Sequence, residues 1–322
     1  MDICPCDITA FEVYRSHGRL LPELLECPRT SKLDACGMPP RQMLADELGR
    51  LGAKTPPYHL AFASPNQAKQ RNDVMRHVYS APLPRRALIR IGKGLLIASP
   101  ELLFAQLAAR SDFDEIDLAL AGYELCGTYV MDPDDESWTG LIGNVSAMTR
   151  KQLIASMVAR LGKRHGIARA RKALALFEDG SNSPMETILA LLFHLPRRLG
   201  GLGLGPISMN QRVSTSTGDR WVDVYFVGRA VGMEYKGRRP HSVEKTARDD
   251  RRQNKLAGSG VTVLNVWYED LASDHLFQQL VQDVANSLSM RLRIRSRQFT
   301  QSQKLLRMRL MPAIERLGEW LG

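Results

Sequence analysis

Three charged residues at close spacing, Asp223, Glu234 and Lys236, are the strongest candidates for chemistry in this sequence. They lie in RWVDVYFVGRAVGMEYKG, where two apolar runs meet around Gly228 and predict an antiparallel hairpin. Side chains alternate between the two faces of a strand, so Glu234 and Lys236 share a face. Asp223 can lie across from them on the neighbouring strand. The pattern therefore predicts two carboxylates and one amine at one place on a sheet.

This set of side chains suits the hydrolysis of a phosphodiester. Asp223 and Glu234 are the oxygen ligands that Mg²⁺ or Mn²⁺ prefers, and such an ion neutralises phosphate charge and activates water. Lys236 can position the attacking water or stabilise charge that develops in the transition state. The alternative is an exposed hairpin face on which the three charges are hydrated and pair weakly with one another.

A helix is predicted just upstream, in SNSPMETILALLFHLP. Ser183 has the residue type of an N-cap and Pro184 suits the first turn. Glu186 is the third residue of a capping box. A Glu in this turn can also face a neighbouring sheet and contribute an outer metal contact, and the two roles are compatible.

These motifs occur in one order that resembles a known nuclease family. The order is S-P-x-E at 183–186, V-D at 222–223, E-Y-K-G-x-x-x-H at 234–241 and D-D-R-R-x-N-K-L at 249–256. Over residues 180–275 the chain is similar to very-short-patch-repair endonucleases of the PD-(D/E)xK superfamily. The resemblance implies a restriction-endonuclease-like mixed sheet flanked by helices, with Asp223, Glu234, Lys236 and Glu186 in the catalytic site. Many relatives end this strand E-x-D-G, so Lys236 departs from the closest family and restores the wider superfamily's pattern.

The same resemblance implies further residues near the site. His241 and Asp249 match positions that are often polar, although His241 also suits a loop cap and Asp249 with Arg252 has the spacing of a surface helix pair. The residues predicted to contact nucleic acid are Arg238, Arg239, Arg251, Arg252, Arg293 and Arg295. The last two lie in an arginine-rich stretch that equally suits a hydrated helix end.

The first half resembles another family. The segment HVYSAPLPRRALIRIGKGLLIASPELLFAQLAAR is similar to the regulatory part of type IV abortive-infection antitoxins, with Ser99, Pro100, Leu102 and Leu107 in matching places. Phe104 and Gln106 stand where relatives often have Leu and Asp. The resemblance implies a regulatory region through which a protein partner binds.

Local patterns predict an α/β chain with four regions. Residues 1–148 form a smaller α+β domain, with helices around 8–26 and 41–52, extended runs within 58–64, 74–81 and 87–99, and a helix after Ser99. Two helices over 149–180 form a connector. The nuclease-like domain spans 181–275, and basic C-terminal helices span 276–322. The first of these helices is predicted over 275–298 and so begins at the last residue of the nuclease-like domain.

Composition and charge narrow the partners. The 322 residues carry a net charge of +10, and from Arg150 onward 29 Lys and Arg face 15 Asp and Glu. This basic half predicts a polyanion partner, double-stranded DNA.

Five cysteines, an odd number, predict reduced thiols in the cytoplasm. Four of them fall in the first forty residues, where a zinc site is an alternative despite poor ligand spacing. No apolar run is long enough to span a membrane.

The leading hypothesis is a Mg²⁺- or Mn²⁺-dependent DNA endonuclease. The alternative from another class is a non-catalytic DNA-binding regulator, antitoxin-like, that uses the same fold. A nuclease acting on RNA is a third hypothesis, because two carboxylates and a metal ion do not specify the sugar. The oligomeric state does not follow from the sequence.

Overall fold

The chain folds as two units of mixed α and β structure. The computed structural model describes residues 1–53, 56–131, 141–236, 255–292 and 297–321. Internal contacts divide these residues into a first unit that ends at Phe177 and a second unit that begins at Glu178. Within the described ranges, no helix is both long enough and apolar enough to cross a membrane.

The first unit combines short sheets with helices. Its strands are β1 (Arg29–Thr30), β2 (Tyr58–Phe62), β3 (Val74–Val78), β4 (Leu88–Gly92), β5 (Leu95–Ala98), β6 (Tyr129–Met131) and β7 (Leu141–Gly143). Its helices are α1 (Asp7–His17), α2 (Leu21–Glu26), α3 (Arg41–Arg50), α4 (Pro100–Leu107), α5 (Glu115–Cys126), α6 (Lys151–Arg160) and α7 (Ile167–Ala173). The strand pairs β1/β4, β4/β5 and β6/β7 are antiparallel, whereas β2 and β3 are parallel.

Helix α4 forms the centre of this unit. Its predicted start is confirmed, because Ser99 Oγ accepts a hydrogen bond from the N–H of Leu102 and Pro100 is the first helical residue. Every residue of α4 is buried. Helices α5, α6 and α7 pack against it. The two helices predicted over 149–180 are present as α6 and α7, and they belong to the first unit rather than lying between two units.

The second unit is built on one four-stranded sheet. Its strands are β8 (Ile207–Thr215), β9 (Gly218–Phe226), β10 (Val231–Lys236) and β11 (Thr262–Trp267). Its helices are α8 (Pro184–His194), α9 (Tyr268–Ala272), α10 (Asp274–Ser287) and α11 (Arg297–Leu321), and residues 255–258 are also helical. The strand order is β11, β10, β9, β8. Because β8, β9 and β10 are antiparallel and β11 runs parallel to β10, the sheet is mixed.

The apolar sides of these elements form the core of the second unit. On β9, Val222, Val224 and Phe226 are buried and alternate with the part-exposed Asp223 and Tyr225, as the period-two pattern predicts. Helix α8 is buried from Pro184 to Phe193 and packs against β8, β9 and β10. The sequence prediction for both elements is confirmed.

The predicted helix over 275–298 is too long, because α10 ends at Ser287. Ser289 adopts a left-handed backbone with φ of 52°. Its N–H donates to the carbonyl of Asn286, and the N–H of Met290 donates to the carbonyl of Ala285. This pair of bonds is the Schellman arrangement that ends a helix. The next helix, α11, then packs against α8 and α9.

Candidate functional site

Asp223 and Glu234 meet where the paired part of β9 and β10 ends. Val231, Gly232 and Met233 pair with Phe226, Tyr225 and Val224. The next residue on each strand is Glu234 on β10 and Asp223 on β9. Asp223 Oδ2 accepts a hydrogen bond of 2.8 Å from the N–H of Tyr235. The carboxylate of Asp223 therefore bonds to the main chain of β10 directly after Glu234.

Glu234 and Lys236 form a buried ion pair. Lys236 Nζ donates to Glu234 Oε2 over 2.8 Å, and the side chains are 13% and 3% exposed. They are two residues apart on β10 and so lie on one face of it, as predicted. A hydrated hairpin face would leave these charges in water, and the observed burial does not match that alternative.

Strand β11 adds Asn265, which the sequence interpretation missed. Asn265 pairs with Glu234 in the parallel register of β10 and β11. Its Oδ1 atom is buried and accepts no hydrogen bond from the part of the chain that the structure describes. The available signal was an amide side chain, Asn265, inside the mostly apolar run VTVLNVW. A buried acceptor beside a carboxylate is a further oxygen donor of the kind that Mg²⁺ takes.

Glu186 is held by three hydrogen-bond donors. Its Oε2 accepts from the N–H of Asn182 at 2.9 Å and from Asn210 Nδ2 at 2.6 Å, and its Oε1 accepts from the hydroxyl of Ser183 at 3.1 Å. The N–H of Glu186 donates to Ser183 Oγ, so the predicted N-cap is present, whereas the Glu186 carboxylate accepts from the N–H of Asn182 and not from that of Ser183, as a capping box would require. Burial raises the pKa of Glu186, and these donors only partly offset that effect.

Asn210 links Glu186 to the sheet and was also missed. It lies on β8 between Met209 and Gln211, which pair with Val224 and Val222, so it stands opposite Asp223. Its φ of 45° is a conformation in which Asn is strongly enriched. The hydrogen bond between Asn210 and Glu186 therefore connects the first turn of α8 with β8, at the level of Asp223 on the neighbouring strand.

The predicted carboxylates do not form one compact three-ligand group. Glu186, Asp223 and Glu234 do not bring one oxygen each within 4.8 Å of one another; among the described residues, the group of three that does so is Asp7, His59 and His77. Asp223 and Glu234 fit a hard divalent ion, because Mg²⁺ is commonly held by one or two carboxylates with waters retained. Glu186, already bonded to three donors, is suited to positioning rather than direct ligation.

The remaining predicted residues lie outside the part of the chain that the structure describes. They are His241, Asp249, Arg238, Arg239, Arg251, Arg252, Arg293 and Arg295. Their predicted roles stay predictions.

Comparison with known proteins gives no relative for this chain. No family model, no curated protein and no solved structure matches it. The residues of the site are therefore the basis of a functional assignment.

Proposed function

We propose that this chain is a divalent-metal-dependent endonuclease that hydrolyses phosphodiester bonds in double-stranded DNA, with Mg²⁺ or Mn²⁺ as its cofactor. The observation that carries the proposal is the buried Glu234–Lys236 ion pair beside Asp223. The mixed sheet with a buried helix before it supports a restriction-endonuclease-like fold. The free cysteines suit the reducing cytoplasm.

The burial of these charges favours a functional explanation over a structural one. Replacing a buried ion pair by apolar residues of similar size is often neutral or stabilising, so stability alone gives little reason for such a pair. Strands β9 and β10 are otherwise rich in buried apolar side chains. Charged groups buried in this setting are typical of sites where their chemistry is used.

Each residue has a defined task in the proposed reaction. Asp223 and Glu234 hold the divalent ion, which when bound neutralises phosphate charge and lowers the pKa of water. Lys236, fixed by Glu234, orients the attacking water and stabilises negative charge on the phosphate oxygens. The bond between Asn210 and Glu186 fixes α8 against β8, the strand that pairs with the strand of Asp223.

The charge distribution favours a nucleic-acid substrate. Residues from Arg150 onward carry 29 Lys and Arg against 15 Asp and Glu, whereas residues before it carry 15 against 19. Contacts of Lys and Arg with phosphates supply most of the sequence-independent affinity of DNA-binding proteins. The proposed catalytic residues belong to this basic part of the chain.

One observation favours a second function, a non-catalytic DNA-binding regulator of antitoxin-like type. Glu186 is engaged as a helix cap, and the three carboxylates are not gathered as a single group. In that case the same surface binds duplex DNA without a metal ion, and a protein partner binds the first unit.

Cleavage assays on the full chain separate these functions. Supercoiled plasmid, linear duplex and RNA are incubated with wild type, Lys236→Met and Arg212→Met in Mg²⁺, Mn²⁺ or chelator. Arg212 is an exposed arginine on β8 that pairs with Asp219, so its replacement removes one positive charge of the same unit and leaves the Glu234–Lys236 pair intact. We expect metal-dependent cleavage of DNA, reduced at least about 10²-fold by Lys236→Met only.

Two results would reject the nuclease. One is the lack of cleavage of any substrate by folded wild type in either metal. The other is equal cleavage by wild type and Lys236→Met. Metal-independent duplex binding that survives Asp223→Asn, measured by fluorescence anisotropy, would then support the regulator. Cleavage of RNA alone would support the proposed catalytic site and identify RNA, rather than DNA, as the substrate.

A further inference from the structure

Three potential metal ligands meet inside the first unit, in residues that the proposed nuclease reaction does not use. Asp7 begins α1, His59 lies on β2 and His77 lies on β3. The parallel register places Met75 opposite His59 and His77 opposite Ala61, so the two histidines are diagonal neighbours. Asp7 is 2% exposed and His59 is 8% exposed, and the side chain of His77 is 24% exposed.

The distances between the candidate ligand atoms are close to those of a tetrahedral metal site. His59 Nδ1 is 3.0 Å from His77 Nε2 and 3.7 Å from Asp7 Oδ1, and His77 Nε2 is 3.8 Å from Asp7 Oδ2. Tetrahedral zinc with ligand distances of about 2.0–2.1 Å has ligand atoms about 3.3–3.4 Å apart. These separations, of which the two to Asp7 involve different oxygens of its carboxylate, lie on both sides of that value, so small side-chain adjustments suffice to place an ion between the three residues.

The two histidine nitrogens are close enough to share one cation. Two imidazole nitrogens 3.0 Å apart repel unless a proton or a cation lies between their lone pairs. Neutral imidazoles and an ionised carboxylate are the protonation states that bind metal ions.

Asp7 is oriented by its neighbours. Its Oδ1 accepts from Arg110 Nη1 at 2.8 Å and from the N–H of Ile8 at 2.7 Å, which leaves Oδ2 directed at His77. Arg110 also binds Asp112, so two carboxylates balance its charge.

The backbone around the cluster is fixed as well. The N–H of His59 donates to Thr9 Oγ1 at 2.9 Å, and the N–H of Asp7 donates to Gln106 Oε1 at 2.9 Å. Gln106 in turn donates to the hydroxyl of Tyr79. Hydrogen bonds of this kind, made by residues next to the ligands, orient the ligand side chains in metal sites.

The cluster opens into a cavity of about 740 Å³. Its lining includes all three ligands together with Met75, Arg110 and His165. A cavity of this size suits a small ligand. Three protein ligands leave a fourth tetrahedral position, which in catalytic zinc sites is taken by water or substrate.

We propose that Asp7, His59 and His77 bind a divalent transition-metal ion, with Zn²⁺ as the ion that fits best, and that its open coordination position faces this cavity. The donor set of two imidazoles and one carboxylate suits zinc, whereas Mg²⁺ prefers oxygen ligands alone. This site is separate from the proposed nuclease site, because all of its residues lie in the first unit.

Metal binding by the full chain tests the proposal. Metal-free protein is equilibrated with Zn²⁺ and desalted, and bound zinc is measured by elemental analysis; visible absorption of Co²⁺ then reports tetrahedral coordination. The variants are His77→Gln, Asp7→Asn and the control His165→Gln, an exposed cavity residue outside the cluster. Asn suits position 7, because the φ of Asp7 is 52°.

We expect one zinc ion per chain in wild type and in His165→Gln. Affinity should fall at least about a hundredfold in His77→Gln and Asp7→Asn, since loss of even an outer-shell partner can cost that much. Unfolding midpoints without metal identify any variant that fails to fold. The proposal is overturned if folded wild type binds no zinc, or if His77→Gln and Asp7→Asn both bind it as wild type does.

A Glu234→Gln variant separates this proposal from the nuclease. It removes one proposed Mg²⁺ ligand and should keep its zinc and its Co²⁺ spectrum. Loss of zinc in Glu234→Gln, with zinc kept in His77→Gln, would assign the ion to the second unit and reject the cluster. A lack of DNA cleavage in Mg²⁺ would leave the zinc result unchanged.

Discussion

Glu186 closes the first turn of α8 and ties that turn to β8 through Asn210. Gln can replace it with every bond kept, because its Oε1 can accept from Asn182 and Asn210 while its Nε2 donates to Ser183. We therefore expect Glu186→Gln to stay within about 1 kcal/mol of wild-type stability and to retain cleavage within about tenfold. Urea unfolding and plasmid cleavage measure both.

The matched variant Glu186→Ala should be less stable than Glu186→Gln. It removes three hydrogen bonds, those from Asn182, Ser183 and Asn210, at a total cost of about 1–3 kcal/mol. If folded Glu186→Gln is instead as inactive as Asp223→Asn, the carboxylate itself takes part in the reaction.

Glu101 carries a second testable feature at the residue scale. Its side chain is 5% exposed, and it accepts hydrogen bonds from Arg29 at 2.8 Å and from the hydroxyl of Thr149 at 2.7 Å. Glu101→Gln leaves the charge of Arg29 uncompensated, so we expect a loss of about 3 kcal/mol at neutral pH. Denaturant unfolding measures it. Glu47→Gln, at an exposed pair with Arg50, is the control and should change stability by less than about 1 kcal/mol.

The ion pair of Arg29 and Glu101 predicts that the stability of the protein depends on pH. Burial alone would raise the pKa of Glu101, but Arg29 and Thr149 outweigh it and hold that pKa below its usual value. A lowered folded-state pKa stabilises the fold above the unfolded-state value of about 4.3 and loses this effect as pH falls through the folded-state pKa. The stability difference between wild type and Glu101→Gln should therefore shrink below about pH 4. A difference that grows on acidification would contradict this.

At the scale of elements, helix α5 packs through a glycine. A Cβ atom at Gly122 would lie 2.4–2.6 Å from three ring atoms of Phe177, which no side chain tolerates without movement. We expect Gly122→Ala to destabilise the first unit by about 1–3 kcal/mol. Thermal unfolding measures the change.

Gly49 in α3 provides the matched control. It is exposed, and a Cβ atom there would meet nothing within 4 Å. Gly49→Ala should therefore stabilise α3 by about 0.5–1 kcal/mol through helix propensity. Equal effects of the two substitutions would show that the ring of Phe177 does not fill the space above Gly122.

At the scale of the whole molecule, charge is divided unevenly along the chain. The basic part from Arg150 onward should bind duplex DNA through phosphates, so affinity should fall roughly 10³-fold between about 50 and 200 mM salt if about six phosphates are neutralised. Arg291→Gln, at an exposed arginine of the second unit, should reduce the slope against log salt by about 1. Arg50→Gln, in the acidic part, should leave it unchanged. Fluorescence anisotropy tests both, and a slope near zero would exclude phosphate-driven binding.

Local sequence patterns predicted the elements whose causes are local. The starts of α4 and α8 follow from Ser99 and Ser183, each followed by proline, since capping depends on residues within one turn. The β9–β10 hairpin follows from period-two alternation around a turn. Helix α5 was missed, although Asp114 closes a capping box before it.

The sequence alone thus established the helix caps, the hairpin and the proximity of Glu234 to Lys236, because each depends on neighbours along the chain. The tertiary structure established the contacts between residues that lie far apart in the sequence. Asn265 reaches Glu234 through a parallel pairing of distant strands, and Asp7 reaches His59 and His77 through the meeting of α1 with β2 and β3. No local spacing encodes such contacts, because they form only when packing brings separate elements together.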